Sequence, residues 1–219
     1  MTWNIPNILT TLRLLAAPMV AVMFLYFTRP HADWFALVLF VGAAVTDWFD
    51  GYLARAWGQQ TRFGTMLDPI ADKAMVVIAL MVIVGFSSWS PWLVLPTTVI
   101  LFREVFVSGL REFLGDTAGT LNVTQLAKWK TTAQMVAIAV LFSQGIFEHY
   151  FGMWSWGMDQ EMVVQILTGA EEDPLGLRLM FEGNLWAGRI GLVLLWVAAA
   201  LTLITGVDYF RKAIPHLKG

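Results

Sequence analysis

The sequence predicts an all-α integral membrane protein, a bundle of six transmembrane helices with a polar site at its cytoplasmic end. Three observations carry this. Of 219 residues, 58% are hydrophobic and 14% charged, and the mean hydropathy is +0.64, which lies outside the range of ordinary soluble domains. Six apolar stretches each have about the 20 residues that cross a bilayer as a helix. Lysine and arginine concentrate at alternate ends of those stretches, which marks one side of the membrane as cytoplasmic.

The first stretch runs from Ile8 to Phe27. Asn7, Thr10 and Arg13 recur at three-residue spacing along it, one polar stripe on an otherwise apolar helix. Asn7 reads equally as a helix N-cap or as a ligand-binding group. Arg13 lies deeper than a topology signal requires, and so points to contact with a phosphate or a carboxylate. No basic leader precedes this stretch, so no cleavable signal peptide is expected.

The second and third stretches, Trp34 to Trp57 and Thr65 to Phe86, carry the unusual residues. Asp47, Asp50, Gly51 and Ala54 share one helical face, followed by Arg55; Gly64, Asp68 and Asp72 share a face of the next helix. Two carboxylates per helix would therefore look across at two more. Ionisable residues in spanning segments are expensive, and such a cluster repels itself unless cations neutralise it or protons bind. Oxygen-only ligands with no cysteine or nearby histidine suit a hard ion, Mg2+ or Mn2+. Gly51 and Ala54 leave the face open for a ligand to approach the backbone. Helix capping or pairing with Arg55, Arg62 and Lys73 is the plain structural reading. A cation or proton pathway is the other functional one, but it suits carboxylates at the midplane rather than at one end.

The fourth stretch, Pro91 to Phe113, carries Arg103 and Arg111 eight residues apart on nearly one face. Lys128 and Lys130 open the fifth, Gln125 to Phe147. Together these four suggest a cationic pocket for an acceptor that bears its own phosphate. Taken singly, each reads equally as a snorkelling positive-inside residue. From Glu148 to Asn184 the chain turns polar and acidic, which predicts a non-cytoplasmic loop with a short interfacial helix at Met162 to Leu167. The sixth stretch is Leu185 to Tyr209. With no internal repeat or linker, residues 1–219 form one domain.

With the N-terminus in the cytoplasm, that side holds Arg13, Arg55, Arg62, Lys73, Arg103, Arg111, Lys128, Lys130, Arg211, Lys212 and Lys218. The other keeps Arg29, Arg178 and Arg189, so the 14 basic residues divide eleven to three. The aspartate cluster accordingly faces the cytoplasm. Tryptophans 3, 34, 89, 92, 129, 154, 156 and 186 cluster near segment ends, as an interfacial belt does. A net charge of −2 argues against a nucleic-acid partner, and the absence of cysteine excludes disulfides and thiolate metal sites.

Asp47 to Asp72 resembles, without a mismatch, the signature DxxDGxxARx8GxxxDxxxD of the CDP-alcohol phosphotransferase family. The resemblance implies a six-helix membrane enzyme that moves a substituted phosphoryl group from a CDP-linked alcohol to an acceptor alcohol and releases CMP. It implies that Asp47, Asp50 and Asp68 hold divalent ions, two Mg2+ or Mn2+, with Asp72 as a further ligand and as the base for the acceptor hydroxyl. It places Gly51, Arg55 and Thr61 where the family binds the cytidine nucleotide, and the segment Pro6 to Arg13 looks like its nucleotide-side first helix. Arg103 to Leu114 and Leu126 to Gln134 are similar to the family branch that joins CDP-diacylglycerol to sn-glycerol 3-phosphate. A homodimer in a bacterial inner membrane is the corresponding expectation.

Overall fold

The structure is a computed structural model that describes residues 4–56, 61–115 and 125–217, with side chains at all of these except 6, 48 and 50–56. The described residues form seven helices and no strand: α1 (Ile5–Tyr26), α2 (His31–Ala56), α3 (Arg62–Phe86), α4 (Pro91–Leu114), α5 (Gln125–Trp154), α6 (Gln160–Thr168) and α7 (Leu177–Leu217). Five of them, α1, α3, α4, α5 and α7, contain stretches long and apolar enough to cross a membrane. The 26-residue α2 has comparable length but carries Asp33, Asp47 and Asp50.

Helix boundaries follow local chemistry. The Asn4 side chain accepts from the Asn7 amide at 3.0 Å and so caps α1, with proline in the first turn where its missing N–H costs nothing. Thr61 caps α3 by accepting from Gly64 N at 3.0 Å. Asp159 caps α6 in the same way through Met162 N at 2.7 Å, and Gly169, at φ 86°, ends it in the left-handed region. Both oxygens of Asp173 accept from the first turn of α7, from Leu177 N at 2.7 Å and Arg178 N at 2.9 Å.

In the bundle, α1 packs on α2 and α3, while α7 lies along α5 and α4, and α2 closes against α5. Phe40, Met75, Leu80, Ile100, Ile138 and Leu195 fill the centre beside Ala17, Ala36, Ala79, Ala137 and Ala198. Such small residues let membrane helices approach closely where lipid offers no hydrophobic driving force. The contact of α5 with α7 shows why: a Cβ at Gly188 would lie 2.9 Å from the Gln144 side chain, and one at Gly191 2.8 Å from that of Leu141. Outward-facing Leu12, Leu15, Val38, Phe102, Val105 and Val193 stay exposed, as lipid-facing residues do. Trp34, Trp89, Trp92, Trp129, Trp156 and Trp186 are exposed too.

The acidic stretch Glu148 to Asn184, expected as a loop, is mostly helical. It holds the end of α5, all of α6 and the first two turns of α7, a 41-residue helix about 60 Å long at 1.5 Å per residue. Apolar composition marks bilayer thickness, whereas a helix stops where a cap or a left-handed residue stops it. Gly157, Gly169 and Gly176 supply positive φ in this region. The interfacial helix expected at Met162 to Leu167 is α6.

Candidate active site at one end of the bundle

The start of α1, the last turns of α2 and the start of α3 meet at one end of the bundle, and the polar stripe of α1 is the seam. Asn7, Thr10 and Arg13 are all buried. Arg13 Nη1 donates to Asp72 Oδ1 at 2.6 Å and also to Asp47 Oδ1. Thr10 Oγ1 donates to Asp68 Oδ1 at 2.7 Å. Thr61, besides capping α3, donates to Asn7 Oδ1 at 2.8 Å. Gly64 makes this approach possible, since a Cβ there would sit 2.8 Å from Asn7 Oδ1. Asn7 is therefore neither the N-cap, which is Asn4, nor exposed; it ties α1 to the head of α3.

Among the described residues at this end, carboxylates outnumber the cations that touch them. One guanidinium touches Asp47 and Asp72, whose side chains are 47% and 52% exposed, and a neutral hydroxyl is the partner of Asp68. The side chains of Asp50, Gly51, Ala54 and Arg55 lie outside the described residues; their backbone belongs to the last turns of α2. Among the described residues, no three acidic or histidine side chains already form a ready cation cage. The donor chemistry nevertheless fits a hard dication, because the described side chains of Asp47, Asp68 and Asp72, with Asn7 and Thr10, offer oxygen ligands, and Arg13 already bridges two of the carboxylates as a cation would.

Beside this cluster, α3, α4, α5 and α7 enclose a cavity of about 500 Å³. Arg103, Arg111, Lys128 and Lys130, singled out above, all line it, as does Lys73, the residue after Asp72. Glu104 organises the cations. Its Oε1 accepts from Lys130 Nζ at 2.5 Å and from Arg103 Nη1 at 3.2 Å, while Ser108 donates to the Glu104 carbonyl at 2.5 Å and receives the Lys73 ammonium. This carboxylate offsets the cost of burying Lys130. On α7, the Tyr209 ring lies under the Arg111 guanidinium at 5.5 Å, and Asp208 pairs with Lys212 at 2.7 Å. Five cations against Glu104 and Asp208 leave the cavity lining net positive.

Residues 3–167 match the CDP-alcohol phosphatidyltransferase family. The chain belongs to that family. It is 65% identical over 218 residues to the CDP-diacylglycerol–glycerol-3-phosphate 3-phosphatidyltransferase of Cereibacter sphaeroides, covering 100% of this chain and 99% of that one. It is 35% identical over 216 residues to the protein of the same name from Escherichia coli K12, covering 97% and 96%.

For this CDP-alcohol phosphatidyltransferase, sequence reasoning singled out four of the cavity residues and did not place others there, among them Lys73, Glu104, Ser108, Asp208 and Tyr209. Glu104 carried a usable signal, a carboxylate inside an apolar helix next to Arg103. Tyr209 carried none, because an aromatic near the end of a membrane helix reads as an interfacial anchor.

Proposed function

We propose that the protein transfers the phosphatidyl group of CDP-diacylglycerol to sn-glycerol 3-phosphate, giving phosphatidylglycerophosphate and CMP. The observation that carries this reading is the cationic cavity adjoining the aspartate cluster, joined to it through the consecutive residues Asp72 and Lys73 on α3. In the reaction the acceptor hydroxyl oxygen bonds to the lipid-side phosphorus, the bond from that phosphorus to the CMP oxygen breaks, and the hydroxyl proton leaves. Asp72 orients that hydroxyl and receives its proton, standing between the diphosphate and the acceptor cavity. Arg13 keeps Asp47 and Asp72 at a fixed separation. Asp47, Asp50, Asp68 and Asp72 would hold two Mg2+ or Mn2+ ions, which, when bound, offset diphosphate charge and stabilise the departing CMP. Gly51, Ala54, Arg55 and Thr61, with the α1 stripe, serve the nucleotide side. The cations of the adjoining cavity offset the nearly two negative charges of a phosphate monoester.

In this reading α2 is the sixth span. The N-terminus and both clusters face the cytoplasm of a bacterial inner membrane, and the enzyme works as a homodimer. The orientation rests on the basic-residue split, with the aspartate cluster and the cationic cavity side by side at one end of the bundle, and the homodimer on the family resemblance alone.

The test is purified protein in detergent with CDP-diacylglycerol, Mg2+ and a panel of labelled acceptors. CMP release should require both the dication and glycerol 3-phosphate, and Arg111→Ala should raise the KM for glycerol 3-phosphate much more than that for CDP-diacylglycerol. Equal turnover of unphosphorylated glycerol, or unchanged acceptor kinetics in Arg111→Ala, would reassign the acceptor.

A further inference from the structure

We propose that Tyr209 is a specificity-determining residue of the acceptor site, its phenol hydroxyl donating to the acceptor's phosphate while its ring holds Arg111 over the cavity. The inference rests on the acceptor reading above. Tyr209 is 7% exposed, and its hydroxyl is buried with no hydrogen-bond partner among the described residues. A buried tyrosine hydroxyl ordinarily finds one, and leaving it unmet is costly. The same cavity holds a second unmet donor, the buried Nε of Arg103. The wall is shaped around that arginine, since a Cβ at Gly206 would lie 2.9 Å from Arg103 Cγ.

Two unmet donors among clustered cations call for a ligand rich in acceptors and poor in donors. A phosphate monoester dianion has that character; an uncharged polyol does not, because its hydroxyls bring donors of their own. Tyr209 also acts through Arg111: with the guanidinium 5.5 Å above its ring, it restrains a long side chain that is otherwise exposed.

Two variants separate the roles. Tyr209→Phe keeps the ring and removes only the hydroxyl; it should raise the KM for glycerol 3-phosphate about tenfold or more, the loss expected for a hydrogen bond to a charged group, with kcat and the KM for CDP-diacylglycerol near wild type. Tyr209→Leu should raise it further, because Arg111 loses its support. Thermal stabilisation of the purified protein by glycerol 3-phosphate, and by inorganic phosphate as the simpler probe, should shrink in Tyr209→Phe. A wild-type acceptor KM in Tyr209→Phe, or a loss confined to kcat, overturns the inference. If Arg111→Ala raises the acceptor KM and Tyr209→Phe does not, only the tyrosine assignment fails. If neither does, the acceptor site itself is misplaced.

Discussion

Each end of the bundle sets an arginine against carboxylates, and burial runs in opposite directions. At the aspartate end the arginine is buried, with the Arg13 side chain 2% exposed, while its partners Asp47 and Asp72 are about half open. At the far end Asp33 is the buried partner, at 3%, and Arg29 is 28% exposed. The Arg29–Asp33 pair closes on itself, with Nε to Oδ2 at 2.7 Å and Nη2 to Oδ1 at 2.9 Å, one donor for each carboxylate oxygen. Gly145 on α5 leaves the space it occupies, Glu148 adds a 3.6 Å contact, and the guanidinium lies over Phe86. That ion pair is finished without a ligand. It also holds the Arg29 pKa above its ordinary value, chiefly through the hydrogen bond to Asp33. In the Arg13 cluster, among the described residues, one guanidinium is instead shared between two half-exposed carboxylates.

The sharpest way to break this comparison is to remove one carboxylate from each end. Asp47→Asn or Asp68→Asn should lower turnover by more than about a hundredfold, beyond the 10–100-fold cost of losing a group that merely supports a ligand, while the protein still inserts and purifies. Near-normal activity in either variant at limiting Mg2+ would make the two ends alike.

Arg29→Met should do the reverse. It strands Asp33 in the bundle and should cost about 3 kcal/mol of stability, the low end for a broken buried pair because Arg29 is partly exposed. Turnover per folded molecule should remain close to wild type. The checks are the melting temperature in detergent and an active-site-normalised rate. Loss of kcat without loss of stability would mean that the far end contributes to the reaction.

The smallest effect is expected at Asp173, where α7 begins. Backbone hydrogen bonds from Arg178 and then Leu177 hold its carboxyl below the ordinary carboxylate value. A depressed pKa means stabilisation that is present above the unfolded-state value of about 3.9 and lost as pH falls through the folded value. Asp173→Asn should therefore lower the melting temperature slightly near pH 7 and leave it unchanged in acid. A gap between variant and parent that is constant across this range would assign the effect to packing.

The aspartate signature was legible because helical spacing alone places Asp47 with Asp50 and Asp68 with Asp72, and because carboxylates in an apolar chain have few uses. The same logic found the α1 stripe and the kind of group Arg13 would meet, a phosphate or a carboxylate, but not which residues. That Asn7 meets Thr61 and that Arg13 reaches both Asp47 and Asp72 depends on how α1 crosses α2 and α3.

Sequence by itself determined the class of protein, five of the apolar spans, the charge asymmetry and the family signature, because each depends on composition or on neighbours close in the chain. Tertiary structure decided what depends on contacts between helices far apart in the chain. Arg103, Arg111, Lys128 and Lys130 were four separate cations until α3 and α7 closed the cavity with Lys73 and Tyr209. The acidic stretch became helix rather than loop because α5 and α7 pack on each other beyond the apolar window, over small residues whose fit no hydropathy pattern encodes.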